Sequence, residues 1–198
     1  MANYINKYTN IEAYNADKGK QYPNVSYLVA TDEIKWVKED PTLIIATYRI
    51  NNTQNQIRLF DSRKTAQFSK MWIDGVEQPE VVYQYKFNTN GEHTIKYNLS
   101  VSTKIEAITF SSLSNNTGFP ITFVLPVTLT SIGNECFNYS SNLRSIICMA
   151  TTPPTLGSDA FNNTNKCPIY VPAESLDAYK AATNWKNYAS RIQAIPNS

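Results

Sequence analysis

The chain has 198 residues, room for one large domain or two small ones, and 42 % of them are hydrophobic, so a core can form. Charged residues are only 17 % and the formal net charge is +2 with Lys and Arg scattered, which speaks against the clustered basic footprint of a nucleic-acid-binding protein. No run approaches the roughly 18 apolar residues of a membrane helix, and the start at Met1 carries no apolar leader, so neither membrane insertion nor export by the general route is expected.

Residues 1–40 are polar, rich in Tyr and Asn, and without a clear period. They read as an extended N-terminal anchor segment. Ile11 to Lys18 has the composition for one or two helical turns, with Gly19 as the stop, and Val25–Val29 and Ile34–Val37 are short strand-like runs. A segment of this kind buries little surface alone and must lie on the rest of the chain or on another subunit. Its spread tyrosines, Tyr4, Tyr8, Tyr14, Tyr22 and Tyr27, are the candidate anchor residues.

Residues 41–104 are β in character. Leu43–Ile50 is rich in β-branched residues, Asn51-Asn52 marks a turn, Ile57-Arg58-Leu59 alternates, and Phe68–Ile73 is a further strand. Asp74-Gly75 and Asn90-Gly91 are hairpin signals, the second placed between the strand-like runs Val81–Phe87 and Thr94–Leu99. Short strands with turns about every ten residues predict a small Ig-like β-sandwich, near the lower size limit for a core of its own. His93, the only histidine, follows a hairpin glycine and reads as a solvent-facing strand residue.

Residues 105–172 contain an internal repeat. Ser131-Ile132-Gly133-Asn134-Glu135-Cys136-Phe137-Asn138 matches Thr155-Leu156-Gly157-Ser158-Asp159-Ala160-Phe161-Asn162, and Ile146 and Cys148 match Ile169 and Val171. A weaker earlier copy ends in Phe123-Val124-Leu125-Pro126. The offsets fall within the roughly 20–29 residues of leucine-rich repeats, which predicts a coil whose turns each give one short strand and one arc. Phe137 and Phe161 should point inward at equivalent places, and Gly133 and Gly157 should turn the chain where a side chain would clash.

Residues 173–198 read as a helical cap. Leu176, Tyr179 and Trp185 are expected to face the last repeat, and Ile192 and Ile195 to form a short final strand. The cysteines, Cys136, Cys148 and Cys167, are odd in number and have no metal-ligand spacing, so they are expected as buried apolar residues rather than a disulfide framework or a zinc site.

Little in the chain points to catalysis. There is no Gly-x-Ser-x-Gly elbow and no Gly-rich phosphate loop, and the acidic pairs Asp32-Glu33 and Glu39-Asp40 read as water-facing. Paired carboxylates for sugar hydrolysis are the enzymatic alternative. No catalytic residue, metal ligand or cofactor is expected. The aromatic residues Tyr139, Tyr170 and Tyr188 are the candidate binding residues, because exposed Tyr stacks on sugar rings and anchors interfaces.

The run from Leu129 to Phe137, followed by Ser141-Asn142-Leu143-Arg144-Ser145-Ile146, resembles the BspA-like leucine-rich repeat, roughly SIG-x-x-A-F…NL-x-SI. The stretch Ala150–Gly157, the Ile169-Tyr170-Val171-Pro172 run and Asp177–Lys180 resemble the terminal cap of such proteins, and the likeness covers about residues 125–195. Cys136 stands where the family usually has Ala, and only about two good repeats are present. Met1 to Tyr27 resembles the N-termini of structural proteins from phages of gut Bacteroides, including crAss-like ones. Ile73–Pro79 and Gly91–Tyr97 resemble the β-domain that precedes such repeats. The resemblance implies a non-enzymatic virion protein, a head or tail fibre or a capsid decoration. Its N-terminus would hold a capsid or tail protein, its copies would form a homo-oligomer, most simply a trimer, and its repeats would face a host-surface glycan or protein. The alternative it leaves is a BspA-like adhesin on a bacterial cell surface.

Overall fold

The computed structural model describes residues 26–30, 33–37, 40–101, 103–113 and 116–196. The expected helical turns at 11–18 and the residues Tyr4, Tyr8, Tyr14 and Tyr22 lie outside them. The chain is mainly β, with a few short helices.

The strands are β1 (Ser26–Ala30), β2 (Glu33–Val37), β3 (Ile44–Ile50), β4 (Ile57–Arg58), β5 (Phe68–Ile73), β6 (Val76–Glu77), β7 (Gln84–Tyr85), β8 (Gly91–Leu99), β9 (Lys104–Ile105), β10 (Gly118–Leu125), β11 (Ser131–Ile132), β12 (Ser145–Cys148), β13 (Thr155–Leu156), β14 (Ile169–Val171) and β15 (Ile192–Ala194). Among the described residues one α-helix, α1 (Leu176–Ala181), joins 3-10 turns at Ser62–Gln67, Ala173–Ser175 and Trp185–Arg191. Among the described residues the strands form four sheets, the largest in the order β15-β14-β12-β10-β3-β8-β5-β6.

Local sequence explains the first half of that sheet. Along β8, His93, Ile95, Tyr97 and Leu99 face inward and the residues between them outward, the period-2 pattern of a strand with one face in the core. Asp74 and Gly75 both take positive φ and close the two-residue β5–β6 hairpin, as the Asp-Gly signal predicts. The second signal fails. Asn90-Gly91 joins no hairpin, because β8 lies between the longer strands β3 and β5, which take both of its edges. The Val81–Phe87 run shrinks to β7 and crosses to β4, where Tyr83 also accepts the backbone N–H of Leu59 at 2.7 Å.

β10 is the junction. It runs antiparallel to β3 on one side and parallel to β12 on the other. Pro120 has no N–H to give, and the register shifts between Pro120 and Thr122. From β10 onward the strands are parallel and step by a fixed interval, with Ile146 beside Ile169 and Ile169 beside Ile192. The final strand is therefore one more step of the repeat. The sheet thus runs without a break across the junction at 104–105, and one core cluster reaches from Ile44 to Ile192.

The repeat winds as stacked turns. On the opposite side, β9, β11 and β13 pair in parallel, Ile105 beside Ile132 and Ile132 beside Leu156. Inside, Phe110, Phe137 and Phe161 stack with centroids 5.4 and 5.5 Å apart and planes 19° and 22° from parallel, all fully buried. Phe137 and Phe161 thus hold equivalent inward places. The turn before them, with Ile105 and Phe110, is a full member of the stack. Its signature is the same five-residue step from aliphatic residue to Phe (105 to 110, 132 to 137, 156 to 161), which its missing glycine hides.

Glycine is required where backbones meet. A Cβ on Gly133 would lie 2.2 Å from the Ala107 nitrogen, and one on Gly157 2.3 Å from the Asn134 nitrogen. Glu106 occupies that place in the first turn. Its neighbour there is the 62–67 helix, where Lys64 Nζ meets the Glu106 carboxylate at 2.7 Å and Gln67 Oε1 accepts the Glu106 N–H at 2.5 Å.

Candidate functional site

The arcs between the two sheets form the most regular polar surface. In each, the same two positions take left-handed backbone: Ile108 and Ser112, Glu135 and Tyr139, Asp159 and Asn163. Alternate N–H groups then reach the next turn, from Ile108, Phe110 and Ser112 to the carbonyls of Asn134, Cys136 and Asn138, and from Glu135, Phe137 and Tyr139 to those of Ser158, Ala160 and Asn162. Polar side chains follow the same ladder. Asn163 Nδ2 donates to Asn138 Oδ1 at 3.2 Å, and Asn138 Nδ2 to Glu135 Oε2 at 3.2 Å. Asn138 is buried and spends both amide atoms inside this ladder, which holds the exposed Glu135 and Asn163 in place.

Tyr139 stands out from this surface. It is 59 % exposed and carries φ +59°, while its equivalents Ser112 and Asn163 are small or well suited to left-handed backbone. A large side chain in that conformation costs about 1 kcal/mol and here buries little in return.

The structure does not bring Tyr139, Tyr170 and Tyr188 together. Tyr170 lies half-buried on the far face of the large sheet, in register with Ile147 and Gln193. Tyr188 is 7 % exposed and works inside the cap: its hydroxyl accepts the Phe161 N–H at 3.4 Å and donates to Asn162 Oδ1 at 3.0 Å. Burial pushes its hydroxyl pKa up. Tyr27 sits in β1 opposite Trp36.

The cap closes the open end of the coil by hydrogen bonding as well as by packing. The last turn would otherwise leave carbonyls unpaired. Trp185 Nε1 donates to the Pro154 carbonyl at 2.7 Å, Asn184 Nδ2 to that of Leu156 at 2.6 Å, and the Tyr179 hydroxyl to that of Ala150 at 2.7 Å. Arg191 serves the Phe161 and Cys167 carbonyls and the Thr164 hydroxyl. Sequence patterning placed Tyr179 and Trp185 against the coil but had no signal for these donors, which depend on where the chain returns.

His93 departs from its expected place. It is 8 % exposed, with Nδ1 2.7 Å from Asp74 Oδ2, Nε2 2.9 Å from the Thr89 carbonyl, and its ring 4.5 Å from that of Phe87. Strand alternation turns it inward with Ile95 and Tyr97, so it pins the β5–β6 turn rather than facing water. The cysteines are buried and unpaired, as expected of core residues. Burial pushes the Cys148 thiol up to about 11, partly offset by the Tyr179 hydroxyl beside it, and pushes the Cys136 and Cys167 thiols up as well. Asp61, at the start of the 62–67 helix, is held down at about 2 by the Arg63 guanidinium.

Among the described residues no three His, Cys, Asp or Glu side chains converge as a metal site, and no helix is long and apolar enough to cross a membrane. No protein-family model matches the chain, and no curated protein matches it.

Proposed function

We propose that this chain is a non-enzymatic structural protein of a phage particle, a head or tail fibre or a capsid decoration, that displays its repeat coil for adhesion to the host surface. In this reading residues 1–40 hold a capsid or tail protein, residues 41–104 are an Ig-like sandwich that carries the coil, and residues 105–172 are BspA-like leucine-rich repeats. Copies assemble as a homo-oligomer, a trimer being the simplest. The ligand surface is the arc face around Tyr139, and the ligand a host glycan.

One observation carries the adhesive part. Tyr139 holds a costly backbone conformation and a wet ring at the one arc position where its repeat equivalents are Ser and Asn. Where a local rule is broken without a gain in packing, function is the usual reason. An exposed ring on an arc that also exposes the Asn163 amide and the Glu135 carboxylate suits a sugar, whose faces stack on aromatics while its hydroxyls take directed hydrogen bonds.

Two measurements test the reading. Mass spectrometry of particles purified from Bacteroides phage lysates should find the chain in the virion; recovery from the bacterial cell envelope instead would favour the BspA-like adhesin. Tyr139→Asn should abolish co-sedimentation with host cells and with their extracted surface polysaccharide while leaving the melting temperature unchanged or higher. Retained binding in that variant would refute the assignment of the arc face.

A further inference from the structure

His93 is the single histidine of the chain, and both of its ring nitrogens face acceptors. Nδ1 lies 2.7 Å from Asp74 Oδ2 in the β5–β6 turn, and Nε2 lies 2.9 Å from the Thr89 carbonyl, on the segment that leads into β8. A carboxylate and a carbonyl only accept. A neutral imidazole carries one hydrogen and serves one of them, whereas an imidazolium serves both. The arrangement therefore matches the charged ring.

Thr89 also holds the alternative. Its hydroxyl lies 3.3 Å from the same Nε2. Once Nε2 has lost its hydrogen it only accepts, so it meets the carbonyl lone pair to lone pair, and the hydroxyl is placed to donate in its stead. One nitrogen thus has two partners on one residue, an acceptor for its charged state and a donor for its neutral state. The shorter distance goes to the partner of the charged state.

The neighbours leave the choice to His93. It is 8 % exposed, with the Phe87 ring 4.5 Å from its own, and Tyr85 packs against Phe87. Asp74 is fixed through its other oxygen, which accepts the Thr94 N–H at 2.9 Å. Tyr48, the register partner in β3, spends its hydroxyl on the Leu59 carbonyl at 2.6 Å, and burial keeps that phenol protonated. Glu92 pairs with Arg49, and Lys86 is exposed on the segment of Thr89.

We propose that His93 is a proton-operated latch. Charged, it ties the β5–β6 turn to the segment before β8 through the Thr89 carbonyl. Neutral, it lets that carbonyl go and is held by the Thr89 hydroxyl instead, and residues 86–90 shift with the exchange. The folded chain holds the ring by its proton and the unfolded chain does not. Stability is therefore greatest with His93 charged and falls as pH rises across about 5–8, the range over which histidine ordinarily changes charge. The latch shares no residue with the arc face and stands apart from the adhesive reading.

Calorimetric melts of the full chain across that pH range, with two variants, test it. Thr89→Val keeps the carbonyl and the side-chain shape but has no donor for the neutral ring. It should lose roughly 2–4 °C between about pH 5 and 8, the worth of one hydrogen bond in a chain of this size. The unsubstituted chain should lose part of that, and His93→Gln, which has no titrating ring, should lose none of it. NMR of the unsubstituted chain needs no variant. One histidine gives one set of ring signals, and the amides of Thr89 and Asn90 should shift as the ring gives up its proton. Equal pH dependence in all the chains that fold overturns the proposal. So does a Thr89→Val chain no steeper than the unsubstituted one, or a ring titration that leaves the Thr89 and Asn90 amides in place.

Discussion

Replacing Gly157 by Ala sets two physical arguments against each other, and they differ in sign. Gly157 does not take left-handed backbone, so by chain entropy alone Ala should stabilise the fold by roughly 0.4–1 kcal/mol. Sterics opposes this. The new Cβ would meet the Asn134 nitrogen at 2.3 Å, Asn134 Oδ1 at 2.4 Å and the Gly133 carbonyl carbon at 2.5 Å, where ordinary contact begins at 3.4 Å. Relief requires the two turns to part by about 1 Å, since interiors are packed without slack. Among the bonds that cross that gap, three lie nearest: Gly157 N–H to the Ile132 carbonyl at 2.8 Å, Thr155 N–H to that of Thr130 at 2.9 Å, and Ser158 N–H to Asn134 Oδ1 at 3.0 Å. Stretched by about 1 Å they cease to be hydrogen bonds, at a cost of about 1 kcal/mol each. The net expectation is a loss of about 2–3 kcal/mol. In a chain of this size that lowers the melting temperature by roughly 4–12 °C in a calorimetric scan. Gly157→Ala with an unchanged or raised melting temperature would refute the close backbone approach, and with it the stacking of the turns.

Phe137→Ala removes the middle of the aromatic stack, between Phe110 and Phe161 and against Phe123, and should cost about 4 kcal/mol in urea unfolding; a loss under about 1.5 kcal/mol would place that ring outside the core. Arg191→Met keeps the bulk over Tyr188 but leaves the Cys167 carbonyl without its donor and the Phe161 carbonyl with the Thr164 hydroxyl alone, which should cost about 1–3 kcal/mol; near-neutrality would mean that other groups close the coil. The thiols should ignore a disulfide-exchange reagent in the folded chain and all react once it is denatured. Their stability effect has a definite sign. Burial raises the folded pKa of Cys148 from 9.0 to about 11, so the folded thiol stays protonated where the unfolded one ionises. Stability is full below pH 9.0 and falls as pH rises toward about 11; a flat stability over that window would contradict the burial.

Much of the coil was legible in the chain. Glycine, a small residue and Phe at fixed steps state a repeat, because one turn cannot bury its own apolar edge and each must present the same shape to the next. A strand such as β8 was equally plain, since alternation of apolar and polar residues is a property of the strand itself. The first turn was less so: Thr109 takes the place of Cys136 and Ala160, Glu106 that of Gly133, and only the step from Ile105 to Phe110 survives.

What sequence by itself determined is therefore local and periodic: the strands, the Asp74-Gly75 hairpin, the inward Phe137 and Phe161, and Tyr179 and Trp185 on the cap. Tertiary structure alone decided which edges those strands share. Asn90-Gly91 carries the chemistry of a hairpin, yet β8 pairs with β3 and β5, because long neighbours bury more than a short adjacent strand can. The same holds for His93, turned inward by the strand that carries it, for the donors of Asn184 and Arg191, and for the single sheet that joins the β-domain to the coil through β10. Periodicity is written in neighbouring residues. Pairing depends on which distant surfaces compete for the same edge, and no local stretch of chain holds that information.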